Sequence, residues 1–244
     1  MNNKSKGDYQ TSIRGAYTSL VKTDRAEYSV EEKVFKLQDN LLGGALTQEK
    51  VSGILNILKS KTIENKFFKL GDQVPDFQLP NVKGEMHSLK DYTKNGKVIL
   101  SFFRGGWCPY CYLELRAFQK LQPLFKKYGA QVVAVSSERP DYCLNTMERN
   151  GLQFDVLSDK GNKVAQSYNL VYKSQSDVDL WGELGLNQAI SNGDISYELP
   201  VPATYIIDEW MTVRYVYANP DYRKRARPQE ILDCLKEMRM LDNS

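Results

Sequence analysis

The residues best suited to chemistry in this sequence are its four cysteines, Cys108, Cys111, Cys143 and Cys234, and its single histidine, His87. Two of the cysteines stand together as Cys108-Pro109-Tyr110-Cys111, directly after Phe102-Phe103-Arg104-Gly105-Gly106-Trp107. A buried strand running into a Gly-Gly turn, with C-x-x-C opening a helix, puts both thiols at a helix N-terminus. The unpaired N–H groups and the dipole there favour an anion, so a thiolate gains over a thiol. Arg104 adds a nearby cation, and Trp107 offers an apolar rim that shields sulfur or meets a partner. Cysteines three apart on a first turn also reach one another, so a disulfide forms and breaks without unfolding.

Three chemistries compete for this motif. Zinc needs a second pair of Cys or His at matched spacing, and Cys143, Cys234 and His87 are isolated. A purely structural pair is the second reading. A redox-active dithiol is the third, and the strand-to-helix setting favours it. One histidine leaves a Ser–His–Asp triad a single base and removes sites built from several imidazoles. No metal and no cofactor are expected.

The other candidates have plainer readings beside their functional ones. Cys143 follows Glu138-Arg139-Pro140-Asp141-Tyr142 and reads as a small buried residue ahead of a distant resolving thiol. Cys234 lies among Ile231, Leu232 and Leu235, which makes it core. His87 reads as a strand-edge residue. The basic run Tyr222-Arg223-Lys224-Arg225-Ala226-Arg227 reads as a solvated loop. Folded back towards the motif, it would supply Arg225 as a second cation.

The elements that must position these residues follow from periodicity. Lys97–Phe103 is a continuous β-branched and aromatic run, as in a strand buried on both faces. Cys111 to Tyr128 is a helix with Leu115, Phe118, Leu121 and Phe125 on one face. Val132–Ser136 is a second buried strand, followed by a helix over Asp141–Arg149. Asp76–Leu79 is a short strand ending at Pro80, and Thr204–Ile207 and Val213–Tyr217 are two more. Pro228 opens a final helix through Met238. In 174–198, Trp181, Leu184, Leu186 and Ile190 hint at a helix inside a polar insertion, with a turn at Asn192–Asp194. This order gives an α/β domain with a mixed sheet over 69–244. Residues 1–68 read as an N-terminal helical extension. Val30, Val34, Leu37 and Leu41 form one stripe, ended by Gly43–Gly44; Thr47 caps a second helix lined by Val51, Leu55 and Leu58.

Composition sets the outer limits. The 244 residues, 41% hydrophobic and 26% charged, exclude a disordered chain and a disulfide-dense mini-protein. A net charge of +3 is too small to argue for nucleic acid. No apolar run approaches the roughly 20 residues a membrane helix needs, so no membrane is expected. The N-terminal segment lacks the apolar core of a secretory signal, which makes a reducing cytoplasm the expected location.

Several motifs in order resemble the peroxiredoxins of the alkyl hydroperoxide reductase/thiol-specific antioxidant family, and best their peroxiredoxin-like branch. The resemblance runs through Leu70-Gly71-Asp72-Gln73-Val74-Pro75-Asp76-Phe77, Gly84…His87-Ser88-Leu89-Lys90-Asp91-Tyr92 and Val98–Glu114. It continues through Leu157-Ser158-Asp159 and Pro202–Asp208. It implies a thioredoxin-like, peroxiredoxin-type mixed sheet flanked by helices. It also implies a thiol-dependent peroxidase that reduces hydrogen peroxide or organic hydroperoxides and is recycled by thioredoxin or a similar dithiol, with a homodimer as one assembly. Two departures stand out. Cys111 falls at the peroxidatic position, and Cys108 replaces the family's Thr three residues earlier. The family's Arg before the strand is absent, and Val201-Pro202-Ala203-Thr204 offers Pro202 instead. That proline resembles the thioredoxin proline, usually cis, that faces the C-x-x-C and frees backbone for an extended substrate.

The resemblance implies two routes to one Cys108–Cys111 disulfide. By thioredoxin logic Cys108, the more exposed sulfur, attacks and Cys111 resolves. By peroxiredoxin register Cys111 meets the peroxide, and the wider motif match favours it. The remaining readings are a thiol–disulfide oxidoreductase acting on protein disulfides and a non-catalytic thioredoxin-like interaction module.

Overall fold

A computed structural model describes residues 66–173 and 188–242. The stripes expected at Val30–Leu41 and Val51–Leu58 lie outside the described residues, as do Trp181, Leu184 and Leu186. Within it, β1 (Gln78–Pro80) and β2 (Met86–Ser88) form an antiparallel hairpin, and α1 (Leu89–Thr93) starts at a Ser88 cap that accepts from Asp91 N–H. The run Lys97–Phe103 is β3, with all seven residues buried, as two covered faces require. Then come α2 (Pro109–Lys127), β4 (Ala130–Ser136), α3 (Pro140–Asn150) and β5 (Asp155–Ser158). Gly151 ends α3 at φ 59, the left-handed cap that glycine tolerates.

Four short elements follow: α4 (Lys163–Ser167), β6 (Val171–Lys173), α5 (Gln188–Asn192) and β7 (Glu198–Pro200), with β6 and β7 paired antiparallel. The chain closes with β8 (Ala203–Ile207), β9 (Val213–Ala218) and α6 (Pro228–Asp242). The main sheet has the order β5-β4-β3-β8-β9. β3, β4 and β5 are parallel, and β8 and β9 are added antiparallel in turn. The expected mixed sheet is present, and the strands and the two helices expected between Asp76 and Tyr217 lie within two residues of their observed bounds, while the final helix runs four residues past the expected Met238, to Asp242. The β1–β2 hairpin partner strand, β5, and the short β6–β7 pair lack a long apolar run and were not read from sequence.

This topology decides where the chemistry lies. The register aligns Phe103 with Ser136, Phe102 with Ala203, and Ala203 with Ala218 across the sheet. The ends of β3, β4 and β9 and the start of β8 therefore meet at one edge of the sheet. The C-x-x-C turn, the segment around Glu138, Pro202 and the connection 219–227 all leave from that edge.

Candidate active site

At that edge β3 delivers Arg104 and a Gly-Gly turn into α2. Cys108 is the helix N-cap, its N–H bonded to Gly105 O at 3.1 Å, and Pro109 occupies the first turn, where a missing donor does no harm. The glycines are there for closeness. A Cβ on Gly106 would lie 2.0 Å from Thr146 Oγ1, and one on Gly105, whose φ is +152, would lie 2.3 Å from Trp107 Nε1. The turn is thus pressed against α3, and Glu138 fastens it by accepting from Gly106 N–H at 2.9 Å.

Cys108 and Cys111 are both 0 % exposed. This corrects the expectation that Cys108 is the more exposed sulfur: the connection 219–227 folds over the helix start. It brings Arg225, itself buried, onto the dithiol. Nη2 donates to Cys111 Sγ at 3.2 Å and lies 3.9 Å from Cys108 Sγ, while Nη1 holds Glu114 Oε2 at 2.7 Å. Nε is tied to Tyr222 O at 2.9 Å. Arg104, also buried, lies under the Tyr222 ring at 4.3 Å and beside the Trp107 ring at 5.0 Å.

These charges divide the two thiols. Burial works against ionising either sulfur. At Cys108 the hydrogen bond from Cys111 and the guanidiniums of Arg104 and Arg225 overcome it, and the pKa falls to about 5. Burial and the neighbouring Cys108 anion push Cys111 well above the ordinary thiol range. The balance of these effects favours the anion at Cys108 over Cys111. The peroxiredoxin register favours Cys111 as the attacking sulfur, and Arg225 Nη2 lies nearer that sulfur, at 3.2 Å against 3.9 Å.

Two buried carboxylates complete the site, and neither was read from the sequence. Burial raises Glu114 to about 7 against the pull of Arg225, and Thr204 also hydrogen-bonds it. Burial likewise raises Glu138 to about 7, with the Cys111 sulfur adding to the rise and the Gly106 N–H opposing it. Glu114 left a signal: it sits at the spacing of Cys111, Leu115 and Phe118, a charge inside an apolar stripe.

The remaining candidates fall elsewhere. Trp107 is half-buried at the rim. Pro202 is buried beside β8, and its peptide bond, like all those described, is trans. Cys143 is buried, donates to Glu138 O at 3.5 Å, and has its thiol pushed up by burial. Cys234 is half-buried on α6 rather than in the core. His87 sits in the hairpin, stacked on Tyr92 at 5.5 Å and 3.1 Å from Asn81 Nδ2. Among the described residues no group of metal-ligating side chains is assembled, and no helix is long and apolar enough to cross a membrane.

A family model, that of the AhpC/TSA family, matches residues 70–216. The chain belongs to the AhpC/TSA family. Peroxiredoxin Q of Populus jackii chloroplasts is 28% identical over 187 residues, covering 75% of this chain and 77% of that protein. The thiol-disulfide oxidoreductase ResA of Geobacillus kaustophilus is 34% identical over 116 residues, covering 45% of this chain and 66% of ResA. Against the ResA of Geobacillus thermodenitrificans the match spans 58% of that protein. Among solved structures, peroxidoxin BcpB of Mycobacterium tuberculosis superposes with a TM-score of 0.56 at 22% identity, over 70% of this chain and 98% of BcpB. Xylella fastidiosa PrxQ gives 0.56 at 17% identity, over 70% and 97%. The fold is thus that of the peroxiredoxins, on a thioredoxin-type sheet. In this chain the site carries a C-x-x-C at the start of α2 and a guanidinium, Arg225, that arrives after β9.

Proposed function

We propose that the protein is a thiol peroxidase that reduces hydroperoxides at the Cys108–Cys111 pair and is recycled by thioredoxin or a similar dithiol in the cytoplasm. The observation that carries the reading is Arg225, buried over both sulfurs with Glu114 fixing its orientation. The Cys108 thiolate attacks the nearer peroxide oxygen. The O–O bond breaks, the S–O bond forms, and the leaving hydroxide or alkoxide takes a proton. Arg225 donates to the oxygen on which charge develops, an electrostatic role suited to a water-poor site. Cys111 then attacks the Cys108 sulfenic acid, gives up its proton, and water leaves as the S–S bond forms. An external dithiol returns two electrons and two protons by exchange. The helix start and two guanidiniums activate the thiolate, so the reaction uses no imidazole.

A second reading, a thiol–disulfide oxidoreductase acting on protein disulfides, has its own support. The ResA relatives are of that kind by name, and a Cys108 thiol lowered to about 5 suits attack on a disulfide. Stopped-flow reaction of the reduced protein with hydrogen peroxide and an alkyl hydroperoxide separates the two. A rate orders of magnitude above free cysteine supports the peroxidase. A slow peroxide reaction with fast reduction of insulin or a mixed disulfide supports the reductase, and inertness in both leaves an interaction module. Mass spectrometry of single Cys→Ser variants after stoichiometric peroxide assigns the attacking sulfur. Sulfenic acid on Cys111 in the Cys108→Ser protein, with none on Cys108 in the Cys111→Ser protein, would reverse the assignment.

A further inference from the structure

With both sulfurs fully buried, no thiol of another protein reaches them while the site is shut. The cover is the connection 219–227. Its Tyr222 lies on Arg104 at 4.3 Å and meets the Tyr110 ring edge-on at 5.6 Å. Its Arg225 reaches both sulfurs and Glu114. The segment is also braced within itself. Arg223 grips the Asp221 carboxylate at 2.8 and 2.9 Å, and Lys224 N–H bonds Asp221 O at 2.9 Å. Such a braced segment moves as one piece about its ends at Ala218 and Pro228.

The hold on this segment depends on the redox state beneath it. A buried guanidinium is tolerable only against compensating charge, and here the dithiol supplies one negative charge that draws both Arg104 and Arg225. Disulfide formation removes two electrons and the remaining proton from the pair, and that negative charge goes with them. A disulfide sulfur is a poor acceptor for Nη2. Arg225 then shares a buried site with a second guanidinium, and Glu114 alone balances it.

We propose that the connection 219–227 is a redox-governed cover. It is shut over the reduced dithiol and released by the Cys108–Cys111 disulfide, which uncovers the Tyr110–Trp107 face as the docking surface for a protein dithiol reductant. The partner follows from the chemistry. It must bring an exposed thiolate to a sulfur that only the oxidised form shows, and lay an apolar surface against two aromatic rings. The proposal rests on the preceding reading only in taking the dithiol to cycle between two states.

Hydrogen–deuterium exchange of the whole protein tests it without peroxide. Diamide is the oxidant, taking two electrons and two protons as it becomes the hydrazine. Amides of 219–227 are expected to exchange roughly tenfold faster or more in the diamide-oxidised than in the reduced protein, as local opening requires. In reductant, the Cys108→Ser/Cys111→Ser protein, which has no thiolate for Arg225 to hold, should exchange as the oxidised protein does, and Cys111→Ser should stay protected. Tyr222→Leu, which leaves sulfurs and Arg225 in place, should loosen the segment in both states. Equal protection in the reduced and oxidised proteins overturns the proposal. So does faster exchange confined to the first turn of α2 while 219–227 stays protected. Neither result bears on the peroxide rate.

Discussion

Arg225 donates to Cys111 Sγ at 3.2 Å across 114 positions of sequence, and with its other terminal nitrogen holds Glu114 at 2.7 Å. One side chain thus couples the connection after β9 to the sulfurs at the start of α2 and to a carboxylate one turn further along that helix. This coupling sets the state of the thiols. A guanidinium between sulfur and carboxylate cannot leave without raising the energy of both anions.

Arg225→Gln should therefore shift the thiolate titration. Read as absorbance near 240 nm, the reduced wild-type protein should titrate one thiol with a midpoint of about 5. The variant's midpoint should rise by about two units, a change worth about 3 kcal/mol. The peroxide rate at pH 7 should fall by ~10²-fold or more. Arg225→Gln also leaves Glu114 buried and unpaired, which costs ~3–5 kcal/mol in stability. Adding Glu114→Gln should recover part of that stability and none of the rate. An unchanged midpoint in Arg225→Gln would show that Arg104 and the helix start suffice.

Gly106 makes a sharper steric case. Its hypothetical Cβ meets Thr146 Oγ1 at 2.0 Å and Thr146 Cβ at 3.1 Å, so the turn or the Thr146 side chain on α3 must give way. Gly106→Ala should lower stability by about 1–3 kcal/mol, as overpacking does. Thr146→Ala removes the nearest atom, so the double variant should be more stable than the sum of the two single changes. Denaturant unfolding of the four proteins measures the coupling, and strict additivity would argue that the turn yields instead.

How much of this was legible in the sequence depended on range. Val98–Phe103 and the stripe from Leu115 to Phe125 announce themselves because strand and helix periodicities are local. The C-x-x-C with its Gly-Gly turn is equally local, and its place at a helix start could be read directly. Arg225 was visible only as one of several basic residues in a run, because nothing near it records what folds beneath. The same blindness produced the error on Cys108. A helix N-terminus looks exposed until a segment over 100 residues later closes on it. Glu114 sat in an apolar stripe and was passed over, and Glu138 had no local signal at all.

Cys143 and Cys234 should be dispensable to the redox cycle. Cys143 lies buried on α3 with its thiol pushed up by burial, and Cys234 is half-buried on α6 near Arg214 O at 3.8 Å. The Cys143→Ala/Cys234→Ala protein should still lose two hydrogens with one equivalent of peroxide, at a rate within about twofold of wild type. A stability loss of about 1–2 kcal/mol is expected from the small cavity left at Cys143. Loss of intramolecular disulfide formation would identify Cys143 as a resolving thiol after all.

Glu138 offers a test by pH. Burial raises its carboxyl from 4.5 to about 7, and its two side-chain contacts are the Gly106 N–H and, at 3.5 Å, Thr146. A group whose folded pKa lies above its unfolded value adds stability that is fully present below about 4.5. That stability is lost as pH rises through about 7. Cys108 has the opposite sign, since its contribution is lost as pH falls through about 5. Glu138→Gln isolates the first effect, because a glutamine carbonyl still accepts from Gly106 N–H and carries no proton to titrate. The unfolding free energy of wild type should drop between pH 5 and pH 8 by up to about 3 kcal/mol more than that of Glu138→Gln. If the two proteins lose stability in parallel over that range, the buried carboxylate is ionised throughout and the turn above it is held by a full charge.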